Sequence, residues 1–207
     1  KYNLYLFSDE VYREFIYTGS PYISAMHLKG IQNNVVLIDS VSKRYSECGI
    51  RIGALITKNE AVRKTVMKFC QARLSPPLIG QLIAEASIEG TEAYSRDVYE
   101  EYTERRKCLI DGVNRIAGCY TPIPMGAFYT VAKLPVDDCE KFCAWCLSDF
   151  NYEGETVMMA PASGFYTTPG GGKNEVRVAY VLKKEDLVRA LFILRKALEA
   201  YPGRVDE

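Results

Sequence analysis

In the first part of the chain, short apolar runs alternate with polar connections. Leu4–Phe7 and Val35–Ile38 are each apolar and bounded by polar or turn-forming residues, so both read as buried strands. The connection between them is long enough for a crossover, which predicts a parallel pair. Arg51–Thr57 reads as a third strand. Too few residues lead into it for a crossover, so it is expected to run antiparallel. The period then becomes helical. Asn59 is placed to cap a helix with the stripe Val62, Val66, Phe69 and Cys70. Ser75-Pro76-Pro77 breaks that helix, Leu78–Glu89 reads as the next, stopped by Gly90, and Thr91–Ala117 as a long third. The charged stretch Glu100–Lys107 lies mostly on the solvated face of the long helix.

Beyond Gly118 the order of elements changes. Ala127–Lys133 reads as a strand, and Asp137 is placed to cap a helix with Cys139, Phe142, Cys143, Cys146, Leu147 and Phe150 on one face. Thr156–Ala160 and Glu175–Leu182 read as strands, and Glu185–Tyr201 as a helix with Leu187, Leu191, Leu194 and Leu198 inward. This βαββα order predicts a small α+β unit following an α/β unit. A boundary near residue 112, inside the long helix, divides the chain into 1–112 and 113–207.

Composition narrows the partners. The formal net charge is +0, which gives no electrostatic case for nucleic acid or an acidic membrane. No apolar run is long enough to cross a bilayer. The 7 cysteines are odd in number and lack the spacing of a secreted scaffold, so free thiols in a reducing cytoplasm are expected. Cys139, Cys143 and Cys146 share an apolar stripe with Phe142 and Phe150, where cysteine acts as a small hydrophobe, and His27 is the single histidine. No metal site is expected from that set.

The candidate chemistry is concentrated between Asp39 and Gly53, where the Val35–Ile38 strand opens into a polar loop. Lys43 there is a candidate nucleophile toward a carbonyl carbon. Ser40, Ser42 and Arg51 offer hydroxyl donors and a forked guanidinium, which suit a phosphate dianion. One site would thus hold a carbonyl carbon and a phosphate, and pyridoxal phosphate carries both. The spacing Ser-x-Ser-Lys-x-Tyr-x-x-x-Gly-x-Arg-x-Gly, formed by Ser40, Ser42, Lys43, Tyr45, Gly49, Arg51 and Gly53, resembles the signature of class I/II aminotransferases, fold-type I pyridoxal-phosphate enzymes. The resemblance implies that Lys43 forms the Schiff base and that Arg51 with Ser40 or Ser42 holds the phosphate. Asp9 and Tyr12, in the run Asp9-Glu10-Val11-Tyr12, also match. By that resemblance Asp9 pairs with the pyridine nitrogen and Tyr12 with the ring hydroxyl oxygen; on its residues alone Asp9 could simply cap a turn. An arginine inside the apolar run Glu175–Tyr180 is expected to be buried with its strand and so to need an anionic partner, because burying it unpaired is costly. The family match makes Arg177 the group that takes the substrate α-carboxylate, and a structural Asp or Glu is the other candidate partner. Gly126-Ala127-Phe128-Tyr129 resembles a further recurring family segment.

Lys1-Tyr2-Asn3-Leu4 leads straight into a core strand, so the chain is expected to be the carboxyl-terminal half of a longer enzyme. The fold implied is α/β: part of a large-domain sheet with two parallel strands and one antiparallel, then the βαββα domain. The function implied is transfer of an amino group between an amino acid and a 2-oxo acid, aspartate-type, in a cytoplasmic homodimer. The isolated piece is expected to be inactive. A lyase or decarboxylase on the same scaffold, or the ligand-sensing half of a transcription regulator, would carry the same cofactor residues.

Overall fold

The structure, a computed structural model, describes residues 2–205. It falls into two compact units on either side of the Tyr99–Glu100 bond. The boundary expected near residue 112 lies in the same helix.

The first unit is built on a sheet of order β1-β2-β3, with β1 at Leu6–Asp9, β2 at Val35–Ser40 and β3 at Gly53–Ile56. β1 and β2 are parallel, with Asp9 opposite Ile38, and β3 is antiparallel to β2, with Gly53 opposite Ser40. Both orientations are those expected from connection length. Burial differs from expectation. Val35, Val36 and Leu37 of the central strand are buried, but β1 starts later than expected and Phe7 is 66% exposed. A strand with one neighbour and few covering residues cannot hide its side chains. β2 leads directly into a single helical turn, α1, at Val41–Arg44.

Helix α2 spans Glu60–Ala72 and is capped as expected: the Asn59 side chain accepts the Val62 N–H. Its stripe is only partly covered. Val62 and Val66 are half-buried, while Phe69 and Cys70 are exposed, because a single three-stranded layer is too small to cover the helix end. Helix α3 occupies Leu78–Glu89. Helix α4, Thr91–Asn114, stops short of Ala117; there the Asn114 amide donates to the Thr121 carbonyl at 3.0 Å and accepts the Thr121 N–H at 2.8 Å.

The second unit carries the antiparallel sheet β4-β6-β5, with β4 at Tyr129–Lys133, β5 at Ala160–Pro161 and β6 at Glu175–Ala179. β4 begins after Ala127, whose φ of 60° interrupts extended backbone. β5 is shorter than expected: it contains Pro161, which lacks a donor, and Met158 before it is 83% exposed. Helix α5, Cys139–Ser148, is capped by Asp138, which accepts the Glu140 and Lys141 N–H groups. The expected cap, Asp137, instead accepts the Tyr201 hydroxyl at 3.0 Å. Cys139, Phe142, Cys143 and Cys146 are buried, with α6, Lys184–Ala200, supplying Leu187, Leu194 and Leu198 to the same core. Burial pushes the Cys143 and Cys146 thiols up to about 12, which keeps them protonated and inert. Leu191 of α6 is half-buried against Gly112 of α4, where an added Cβ would come within 2.3 Å of its Cδ1.

Candidate active site

The parallel pair sets the site. β1 ends at Asp9 and β2 at Ser40, and the register places the two ends side by side at the carboxyl edge of the sheet. Asp9 is exposed, and its Oδ1 accepts the Val11 N–H at 3.2 Å. The turn-capping role is therefore present, and it occupies one of two carboxylate oxygens. Tyr12 follows in the turn after β1 and is half-buried.

Ser40 caps α1 with extended backbone, φ −155° and ψ 149°, and its Oγ accepts the Ser42 N–H at 3.1 Å. The same Oγ lies 2.8 Å from Ser42 Oγ and 2.9 Å from the Ile52 carbonyl. A carbonyl only accepts, so the Ser40 proton goes to Ile52 and Ser42 donates to Ser40. Lys43 is the third residue of this turn and half-buried. The site segment is thus a capped helical turn rather than the open loop expected.

Arg51 is brought close by that Ser40–Ile52 bond. It has left-handed backbone, φ 60° and ψ 45°, and its Nη1 donates to the Cys48 carbonyl at 2.6 Å. A non-glycine residue held there costs on the order of 1 kcal/mol. Its support is α3: a Cβ added at Gly80 would meet the Ile50 carbonyl at 2.8 Å, so helix and loop are in close contact.

Arg177, in the second unit, is a correction to the expected burial. It lies in central strand β6 opposite Val131 and Ala160, but its side chain is exposed, with the guanidinium 5.3 Å from the Tyr129 ring centroid and 5.2 Å from that of Phe165. No carboxylate among the described residues forms an ion pair with it.

Sequence reading missed Glu10. It is 3% exposed and accepts the Ser8 hydroxyl at 3.0 Å, the Ser24 hydroxyl at 3.0 Å and the Ala25 N–H at 2.9 Å. Burial opposes its charge, but hydrogen bonds from Ala25, Tyr22, Ser24 and Ser8 outweigh that and hold its pKa below the ordinary value. Glu10 therefore ties the strand end beside Asp9 to the Ser24–Ala25 turn.

Known proteins resemble this chain over nearly its whole length. Residues 1–193 match the family "Aminotransferase class I and II". An aspartate aminotransferase of Pyrococcus horikoshii is 28% identical over 96% of this chain and 49% of its own length. Among solved structures, the alpha-aminoadipate aminotransferase of Thermus thermophilus, complexed with N-(5'-phosphopyridoxyl)-L-leucine, matches with a TM-score of 0.80 at 25% identity, over 95% of this chain and 50% of that one. An aromatic aminotransferase of Pyrococcus horikoshii matches with a TM-score of 0.81 at 25% identity, over 95% and 52%. The chain spans about half the length of the curated relatives it matches.

Proposed function

Because the chain belongs to aminotransferase class I and II, we propose that the protein it forms part of moves an amino group between an amino acid, of aspartate type, and a 2-oxo acid, with pyridoxal phosphate as cofactor. The observation that carries this reading is the register of β1 and β2, which sets Asp9 beside the strand end that leads into Lys43.

The donor set fits the cofactor. The Ser40 and Ser42 hydroxyls lie 2.8 Å apart and Ser40 is bonded to the residue after Arg51. To hold a phosphate, the hydroxyl protons now given to Ile52 and Ser40 and the guanidinium now bonded to Cys48 would turn to the anion. When bound, pyridoxal phosphate supplies a carbonyl carbon and a protonated ring that withdraws electrons from the substrate Cα. Asp9 would hold the proton on the ring nitrogen, and Tyr12 would bond the ring hydroxyl. Lys43 Nζ would link to the carbonyl carbon and serve as base for the Cα proton. Arg177, whose guanidinium lies 5.3 Å from the Tyr129 and 5.2 Å from the Phe165 ring centroid, would take the substrate α-carboxylate in a two-point fork.

We place the enzyme in the cytoplasm as a homodimer. All seven cysteines are free, which suits a reducing compartment. Exposed apolar side chains of the first unit, among them Phe7, Phe69, Leu78 and Ile79, suit burial in a larger assembly. No helix among the described residues is long and apolar enough to cross a membrane.

The test is to load the complete protein with pyridoxal phosphate and offer nitrogen-labelled amino acids one at a time with a 2-oxo acid. Label appearing in the new amino acid, fastest from aspartate, is the expected result. Release of label as ammonia, or loss of carbon dioxide from the amino acid, would replace this reading with a lyase or decarboxylase.

A further inference from the structure

Asp39 and Ser40 are successive strand residues, so their side chains leave opposite faces of the sheet. Ser40 faces the proposed phosphate site; Asp39 works from behind it. Asp39 Oδ1 accepts the Ser40 N–H at 2.8 Å. Its Oδ2 lies 2.7 Å from Arg44 Nη2 and 3.1 Å from Arg13 Nη2. Glu14 Oε1 closes the ring, 3.2 Å from Arg44 Nε and 3.6 Å from Arg13 Nε.

The four charges cancel, and the inner members are well shielded, with side-chain exposure of 12% at Asp39 and 17% at Arg44. Shielding makes such a ring more effective than an exposed pair and less sensitive to salt. Its position is the informative part. Asp39 and Arg44 bracket the Ser40–Lys43 segment, and Arg13 and Glu14 directly follow Tyr12. The ring therefore joins the two backbone segments that the proposed chemistry needs in register, without touching cofactor or substrate.

We propose that Asp39 is a positioning residue: through Arg13, Arg44 and Glu14 it locks the Lys43 turn to the loop carrying Tyr12 and so fixes the lysine amine relative to the Asp9 end of the site. The inference rests on the aminotransferase reading, and it is tested on the complete protein in two ways. Amide hydrogen exchange on cofactor-free protein compares wild type with Asp39→Asn, which keeps the shape and removes the charge. Segments 10–15 and 40–46 should both exchange about tenfold faster, with α3 and the second unit unchanged. With cofactor bound, kcat should fall about 10- to 100-fold while both KM values stay within about threefold, since the lock misplaces a reacting group without altering substrate contacts. Asp39→Glu should recover part of the loss. If Asp39→Asn does not accumulate folded, Arg13→Gln removes one arm and carries the same expectations. Unchanged exchange in either segment, or faster exchange spread through α2 and α3, would overturn the lock. Wild-type protein that transfers no amino group would refute the aminotransferase reading and leave the exchange comparison to decide the lock by itself.

Discussion

Replacing Glu10 with Gln should weaken the fold around the site without touching the reacting groups, and the size of the effect can be worked out in advance. Glu10 is buried and receives three hydrogen bonds of 2.9–3.0 Å from Ser8, Ser24 and Ala25. Bonds to a charged acceptor contribute about 1.5–3 kcal/mol each, against about 0.5–1.5 for neutral ones, so neutralisation removes about 1 kcal/mol per bond. The bonds share one oxygen and do not add fully, which leaves a loss of about 2 kcal/mol near neutral pH. The pH dependence has a definite sign. The folded-state pKa of Glu10 lies below the ordinary carboxylate value, so its stabilisation is complete above the unfolded pKa and lost as pH falls through the folded one. Urea unfolding of the complete protein and its Glu10→Gln variant should differ by about 2 kcal/mol at neutral pH and converge below about pH 4. Equal midpoints at neutral pH, or a gap that widens on acidification, would refute the reasoning.

Further outcomes follow from the same geometry. Asp9→Asn should lower kcat at least about tenfold, roughly 1.4 kcal/mol of barrier, with cofactor affinity little changed, as read by steady-state kinetics and cofactor titration. Arg177→Gln should raise KM for the amino acid about 30-fold, the worth of a charge-assisted contact of about 2 kcal/mol, and a KM within about threefold of wild type would remove Arg177 from the substrate. Ser40→Ala should weaken cofactor binding and also loosen α1, because Ser40 both caps that turn and bonds Ile52; equilibrium dialysis with pyridoxal phosphate reads the first effect.

Much of this was legible because the controlling forces are local. Asn59 and Gly90 mark helix ends by backbone chemistry that short segments carry themselves, and connection length alone set the orientations of β2 and β3. Where two neighbouring residues offer the same chemistry, tertiary contacts decide: Asp138 caps α5 because Asp137 is engaged by Tyr201. Arg177 departs from the expected burial because its strand alternates, with Val176 and Tyr180 inside and Arg177 out; period two holds the signal. Glu10 and the Arg13–Asp39–Arg44–Glu14 ring depend on partners brought together by the β1–β2 pairing, which no single stretch of sequence displays.

Site identity rests on Lys43 above all. The complete protein, loaded with pyridoxal phosphate, reduced with borohydride and digested, should yield a single cofactor-bearing peptide with the label on Lys43, and Lys43→Ala should abolish both label and amino transfer while the protein stays folded. Label on any other lysine, or a Lys43→Ala protein that still transfers the amino group at the wild-type rate, would contradict the account.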